Sequence, residues 1–259
     1  MKIAVVTTMN KRLFDTYGHR FFNTYNWPFD CFVYHEDSFD EVIENYSYGA
    51  NGVTPFFYRS MFNEVPSCQQ FVDRNYHRQP RSSFEEKGLD FVTDGVRFCY
   101  KVYAYTDMIM RQTFSTYVNM YDGLIGIDAD SVFHNRIDED WIKKHIHRDD
   151  TMMSYLGRGD NYSECGFLYW NLKHKDTIPY ANRMKGLYDT DGIYNLKEQH
   201  DSFVWDYARK EFENRGTKNH NIGDGKPGHV QSRSILGDVY DHTKGNRKLI
   251  GRSPEARVK

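Results

Sequence analysis

The chain has 259 residues, 39% of them hydrophobic and 16% aromatic, with a formal net charge of −2. That length suits one large α/β domain or at most two small ones, and the balanced charge excludes a global attraction to nucleic acid or an anionic membrane. The four cysteines, Cys31, Cys68, Cys99 and Cys165, form no C-x-x-C pair, which argues against a zinc knuckle or disulfide framework and for buried thiols in a reducing cytosol.

With 20 Tyr and 18 Phe, much of the core must be built from rings, and clefts should be lined by Tyr. No run approaches the roughly 18 apolar residues of a membrane helix. The opening "MKIAVVTTMNKR" turns polar too early for a secretory leader, so a cytoplasmic protein is expected. Residues 243–259 carry six Lys/Arg against one Glu, a basic tail suited to a phosphate contact or to plain solvation.

"KIAVVTT" (2–8) reads as a central parallel strand. Leu13, Phe14, Tyr17, Phe21 and Tyr25 then recur at helical steps, and "CFVYHED" (31–37) is a second buried strand, so a βαβ unit and a mostly parallel sheet are expected. Residues 45–95 break this rhythm and read as an irregular insertion, a lid or acceptor region. The helix "VRFCYKVYAYTDMIM" (96–110) places Val96, Tyr100, Tyr103 and Ala104 on one face. "GLIGID" follows as a strand ending at Asp128, and Asp138 is placed to N-cap the helix "EDWIKKHI". "CGFLYWNL" (165–172) is another buried strand, and 198–214 is an amphipathic helix stopped by Gly216.

Asp128 and Asp130 close an apolar strand as D-x-D. At the carboxyl edge of a parallel sheet they stand where ligands bind, and residues two apart on extended chain can face one ion. Hard oxygens suit Mg²⁺ or Mn²⁺, which fills its other sites with water and phosphate oxygens. A second chemistry uses the same pattern, making the first aspartate a nucleophile toward phosphate. That class places the motif on its first strand and needs a later acidic pair, whereas here Asp149-Asp150 lies in the charged stretch "HRDD" with no strand before it.

Near the C-terminus, "HTKGNRK" spaces His242, Gly245 and Lys248 as H-x-x-G-x-x-K. An imidazole is a suitable third ligand beside two carboxylates. The glycine permits close approach of backbone to a phosphate, and the lysine adds positive charge.

"IDAD" followed by "HTKGNRK" resembles the metal-dependent glycosyltransferases of the GT-A fold, especially the glycogenin and bacterial lipooligosaccharide galactosyltransferase group. It is also similar to glycosyltransferase-like proteins of bacteria and their viruses. The resemblance spans about residues 1–37 and 96–248. It implies a single Rossmann-like GT-A domain over 1–248, with a basic tail at 249–259, and Asp128, Asp130 and His242 holding Mn²⁺ (or Mg²⁺) on a nucleotide-sugar diphosphate, with a UDP-sugar as the expected donor. It further implies that the Asp128-Ala129-Asp130 segment, Gly245 and Lys248 face that diphosphate, and that Lys101 (or Arg97) is the basic residue near the sugar nucleotide. "SECGFLYWNL" matches the segment receiving donor sugar and acceptor, placing Glu164, Cys165 and Gly166 there, and "EQHDSF" makes His200 and Asp201 candidates near the reacting sugar. The exit of the first strand, Thr7, Thr8 and Met9, is expected to hold base and ribose. Two departures stand out: Glu164 and Cys165 replace the family's Asn and Ser, and Leu249-Ile250 replaces its Pro-Trp.

These residues predict transfer of a sugar to an acceptor hydroxyl with retained configuration. Glu164 or Asp201 are candidates for acid/base or nucleophile, and equally for anchoring sugar hydroxyls. A glycan or small saccharide is the default acceptor. A modified base in viral DNA is the less favoured option, since aromatic faces and Arg/Lys also suit nucleic acid. The competing readings are an aspartate-nucleophile phosphatase and a nucleotide-sugar-binding module without turnover.

Overall fold

The computed structural model describes residues 1–36, 46–79, 90–113 and 120–257. Residues 37–45 and 80–89, and with them part of the expected insertion, lie outside the described residues, as do 114–119 and 258–259.

A single seven-stranded sheet organises the chain in the order β3-β2-β1-β4-β7-β6-β8. Its strands are β1 (Ile3–Met9), β2 (Asp30–His35), β3 (Phe56–Ser60), β4 (Gly123–Ile127), β6 (Met153–Arg158), β7 (Asn161–Asn171) and β8 (His220–Asn221). The sheet is mostly parallel, as expected: β1 pairs in parallel with β2 and β4, β2 with β3, and β6 with β8. Only β7 runs the other way, antiparallel to both β4 and β6. A second, two-stranded sheet joins β5 (Ser131–Phe133) to β9 (Tyr240–His242).

Helices cover both faces. Alternation along β1 sends Ala4 and Val6 to one core and Ile3, Val5 and Met9 to the other, as the two-residue period of a strand requires. On the first face lie helices Pro66–Asn75, Gly95–Met110, Thr177–Asp189 and Asp201–Glu213. On the second lie the helical stretch from Lys11 to Thr24 and helix Glu139–His145, the latter N-capped by Asp138, whose carboxylate accepts from Trp141 N–H at 2.8 Å. Rings do build this core. Phe133 meets Trp27 edge-on at 4.8 Å and Tyr25 at 5.0 Å between centroids, geometry favoured by the ring quadrupole. All four cysteines are free and buried.

Three expectations are corrected. Within the stretch 45–95 expected to be irregular, Phe56–Ser60 is a strand that extends the sheet and Pro66–Asn75 is a helix. Its Gly, Pro and Arg content masked the short apolar run that β2 recruits. Helix Gly95–Met110 is buried on most sides rather than along one face, with Tyr100 only half-buried, because it packs against both the sheet and helix Thr177–Asp189. The basic tail is not a solvated strand of chain as far as Arg257: Ser253 is fully buried and its N–H donates to Asp241 at 2.6 Å. Arg247 pairs with Glu255, and Arg257 with Asp238.

Candidate active site

β4 ends at Ile127, so Asp128 and Asp130 leave the carboxyl edge of the sheet beside the exits of β1 and β2. The small sheet then sets the third member. Pairing of β5 with β9 aligns Ser131 with His242, which brings the imidazole next to Asp130. Thr243 locks that alignment, its N–H and hydroxyl both donating to the Asp130 carbonyl at 3.0 and 2.7 Å. His242 Nε2 lies 3.0 Å from Asp130 Oδ1 and 3.4 Å from Asp128 Oδ2.

Each carboxylate also meets a lysine. Helix Gly95–Met110 crosses β4 closely because Gly126 has no side chain; a Cβ there would stand 2.5 Å from the Tyr105 ring. One turn before Tyr105, Lys101 reaches Asp128 at 2.6 Å and Asp201 at 3.0 Å, and it donates to the Cys165 carbonyl. On the opposite side, Lys248 reaches Asp130 at 2.7 Å with its ammonium over the Tyr17 ring, 4.8 Å from the centroid. Lys248 stands on a one-turn helix, Arg247–Ile250, that follows Gly245 at φ 56°. The left-handed backbone there is one that glycine adopts without a Cβ clash.

These contacts set the charge states. Burial alone raises a carboxyl group, but Lys101 and His242 hold Asp128 down to about 2. Asp130 is likewise held below the usual carboxylate range: burial opposes its charge, and His242 and Lys248 outweigh it. His242 is pushed up to about 9, since the pull of Asp130, Asp128 and Glu164 exceeds the cost of its burial. The imidazole is thus drawn toward its protonated form by the carboxylates on both of its edges.

The donor set fits a hard divalent cation. Two carboxylates and an imidazole offer ligand atoms all within 4.8 Å of one another. Neighbouring ligands on an octahedral shell with bonds of about 2.1 Å stand about 3 Å apart, the spacing already seen around His242 Nε2. Asp128, Asp130 and His242 are therefore able to close on one ion with little movement.

The remaining expected residues divide. Glu164 and Gly166, two apart on β7, both face His242. A Cβ on Gly166 would meet the imidazole at 2.3 Å, and its carbonyl accepts from Asp128 N–H. Glu164 is buried and takes Gly166 N–H at 3.1 Å, with Lys244 on one oxygen and Arg158 3.6 Å away. Cys165 is buried and offers its carbonyl to Lys101. His200 caps helix Asp201–Glu213, accepting from Phe203 N–H, and its Nε2 pairs with Glu198 at 2.8 Å. Ala129 is buried between the two aspartates. Thr7 and Met9 are fully buried, with Met9 Sδ filling the space beside Gly18, so of the strand exit only Thr8 is partly open. Arg97 stands exposed one turn before Lys101.

Sequence reasoning missed Tyr17, Lys244 and Arg158. Tyr17 enters the sequence pattern only as one position of the helical periodicity. It lies on a π-turn, Phe14–Gly18, an irregularity often found at functional sites, and no residue pattern announces it. Lys244 was visible inside "HTKGNRK" but has no place in the H-x-x-G-x-x-K spacing.

No family model and no curated protein matches the chain. Among solved structures, mouse xyloside xylosyltransferase 1 in its apo form is similar at 8% identity, covering 86% of each chain with a TM-score of 0.49. A glycosyltransferase involved in glycosylation of the major capsid of PBCV-1 shares 11% identity over 96% of this chain and 98% of its own, TM-score 0.46. The glycosyltransferase GlyE of Streptococcus pneumoniae TIGR4 shares 12% identity over 88% of this chain and 57% of its own, TM-score 0.44.

Proposed function

We propose that the chain is a glycosyltransferase that moves a sugar from a nucleotide-sugar, a UDP-sugar in the first instance, to an acceptor hydroxyl. The observation that carries this reading is the convergence of Asp128, Asp130 and His242 at the carboxyl edge of the sheet, with a lysine on each carboxylate. Mn²⁺ or Mg²⁺ held by these three would supply positive charge against the departing diphosphate. Lys248 then turns from Asp130 toward the diphosphate and shares its developing charge, while Gly245 lets backbone approach the phosphates. Thr8 and the exit of β1, with Arg97 at the rim, line the side for base and ribose.

Lys101 has a different task. Already engaged by Asp128, Asp201 and a carbonyl, it holds Asp201 beside Asp128, where that carboxylate and His200, the residue before it, are candidates to anchor sugar hydroxyls. With no unengaged carboxylate among the described site residues, attack by the acceptor on the same face as departure, retaining configuration, is the reading adopted. The acceptor is taken to be a glycan or small saccharide.

The phosphatase reading is weakened by position. Asp149 lies by Asn171, whose side chain donates to the Asp149 carbonyl, and Asn171 pairs with Gly123 at the start of β4. The second acidic pair is thus at the opposite edge of the sheet from Asp128. Purified protein incubated with several nucleotide-sugars, with Mn²⁺ or with chelator, tests the proposal. Mn²⁺-dependent nucleotide release is expected. Cleavage of a simple aryl phosphate without donor turnover would instead restore the phosphatase, and donor binding without release, with or without candidate acceptors, would leave a binding module.

A further inference from the structure

We infer that Glu164 is a positioning residue for the metal-ligating imidazole, not an acid/base or nucleophile, and that Lys244 and Arg158 hold it in that role. This rests on the metal site proposed above and assigns a residue to it.

The imidazole of His242 has two edges. Nε2 faces Asp128 and Asp130 at 3.4 and 3.0 Å, whereas Nδ1 faces Glu164 Oε1 at 3.7 Å. Ligation through Nε2 requires that nitrogen to give up its proton, which leaves the single N–H of the neutral ring at Nδ1. Nδ1 is buried and has no hydrogen-bond partner among the described residues. A buried N–H without an acceptor is costly, and metal-bound histidines commonly donate that N–H to a carboxylate, fixing the tautomer and ring plane. Glu164 Oε1 is the carboxylate oxygen on that edge, and a small rotation of either group closes the contact.

The surroundings fit this task. Gly166 backs the ring so closely that any side chain there would displace it. Glu164 is itself pinned, by Gly166 N–H at 3.1 Å, by Lys244, and by Arg158 at 3.6 Å. Its side chain is only 4% exposed, and it stands on the edge of the imidazole away from the two aspartates. An acid/base or nucleophile must touch the sugar, and this carboxylate is enclosed by cations behind the ligand instead.

Mn²⁺ alone, titrated into the full chain freed of metal and followed by calorimetry and by the electron paramagnetic resonance of the free ion, tests the inference. Glu164→Leu should weaken Mn²⁺ binding by about 10- to 100-fold. Glu164→Gln, which keeps an acceptor oxygen, should recover part of that loss, and turnover at saturating Mn²⁺ should survive in it. A merely structural role would lower the melting temperature without separating Gln from Leu in Mn²⁺ affinity. Lys244→Met, which leaves Arg158 3.6 Å from Glu164, should weaken Mn²⁺ binding by a smaller factor, compared at a temperature where its melting curve shows it folded. Unchanged Mn²⁺ affinity in all three variants, with turnover lost in Glu164→Gln, would overturn the inference and make Glu164 catalytic. Failure of the unsubstituted protein to bind Mn²⁺ would overturn the metal site itself, and is a distinct result.

Discussion

Two lysines hold the two aspartates of this site, and they hold them differently. Lys101 comes from the middle of a sixteen-residue helix, with its side chain 9% exposed, and is shared by Asp128, Asp201 and a backbone carbonyl. Lys248 comes from a single helical turn between two glycines with positive φ, with its side chain 32% exposed, and touches one carboxylate and one ring. The first is part of the wall. In the proposed function the second is a counter-charge that a cation and a diphosphate replace and re-aim. Similar ion-pair distances thus conceal opposite roles: loss of Lys101 strands two carboxylates at once, whereas Asp130 keeps His242 when Lys248 leaves.

The aspartates themselves give the largest expected effect. Asp130→Asn removes a ligand at the point where His242, Lys248 and the proposed ion converge, and Mn²⁺-dependent nucleotide release should fall about 10³-fold or more. Circular dichroism should stay native, since Thr243 holds the Asp130 carbonyl rather than its side chain. Retained turnover would dismiss the metal role.

Lys101→Met sharpens the contrast on the stability side. It strands Asp128 and Asp201 without their shared cation, and should cost about 3 kcal/mol in urea unfolding, the lower end for breaking an enclosed pair because Asp128 is partly open. An unchanged midpoint would mean that the wall is not built as described.

Gly166→Ala drives a methyl group into the His242 ring. The ring must turn away from the carboxylates, so Mn²⁺ affinity should drop about tenfold or more, measured by titration calorimetry against a fold that still melts cooperatively.

Acidity probes the same imidazole. Folding raises the His242 pKa from 6.5 to about 9, so its protonation stabilises the metal-free fold fully below about pH 6.5, and that contribution is lost as pH rises through about 9. Metal must displace the same proton. Mn²⁺ affinity should therefore increase with pH, by up to about tenfold per unit below pH 9, while the melting temperature of the metal-free protein falls across that window. A pH-independent Mn²⁺ affinity would exclude His242 from the ligand set.

The smallest stability effect belongs to Lys248→Met. Asp130 stays buried but keeps the His242 imidazole at 3.0 Å once Lys248 is gone, so the loss in unfolding should be smaller than the roughly 3 kcal/mol of Lys101→Met, which strands two carboxylates, while the donor concentration for half-maximal turnover rises severalfold. A stability loss matching that of Lys101→Met would erase the distinction between the two lysines.

Much of this was readable from local patterns. Apolar runs located β1, β2 and β4, the helical period located Gly95–Met110, and Asp138 marked a helix start, because backbone period and capping chemistry act over a few residues. D-x-D and H-x-x-G-x-x-K likewise named Asp128, Asp130, His242 and Lys248, since ligand chemistry restricts residue type and spacing. β3 was missed because a short edge strand needs a partner to be one, and Tyr17 because its π-turn leaves the apolar spacing intact.

What only the tertiary structure decided is the direction of β7. "SECGFLYWNL" reads as a buried strand either way. Run parallel to β4, it would carry Glu164 and Gly166 to the edge far from Asp128. Run antiparallel, it aligns Phe167 with Ile127 and sets Glu164 and Gly166 behind His242. Composition and spacing determined which groups are offered for the proposed cation. The pairing of strands distant in sequence decided which of them touch, because hydrogen-bond register is a property of two segments and is written in neither alone.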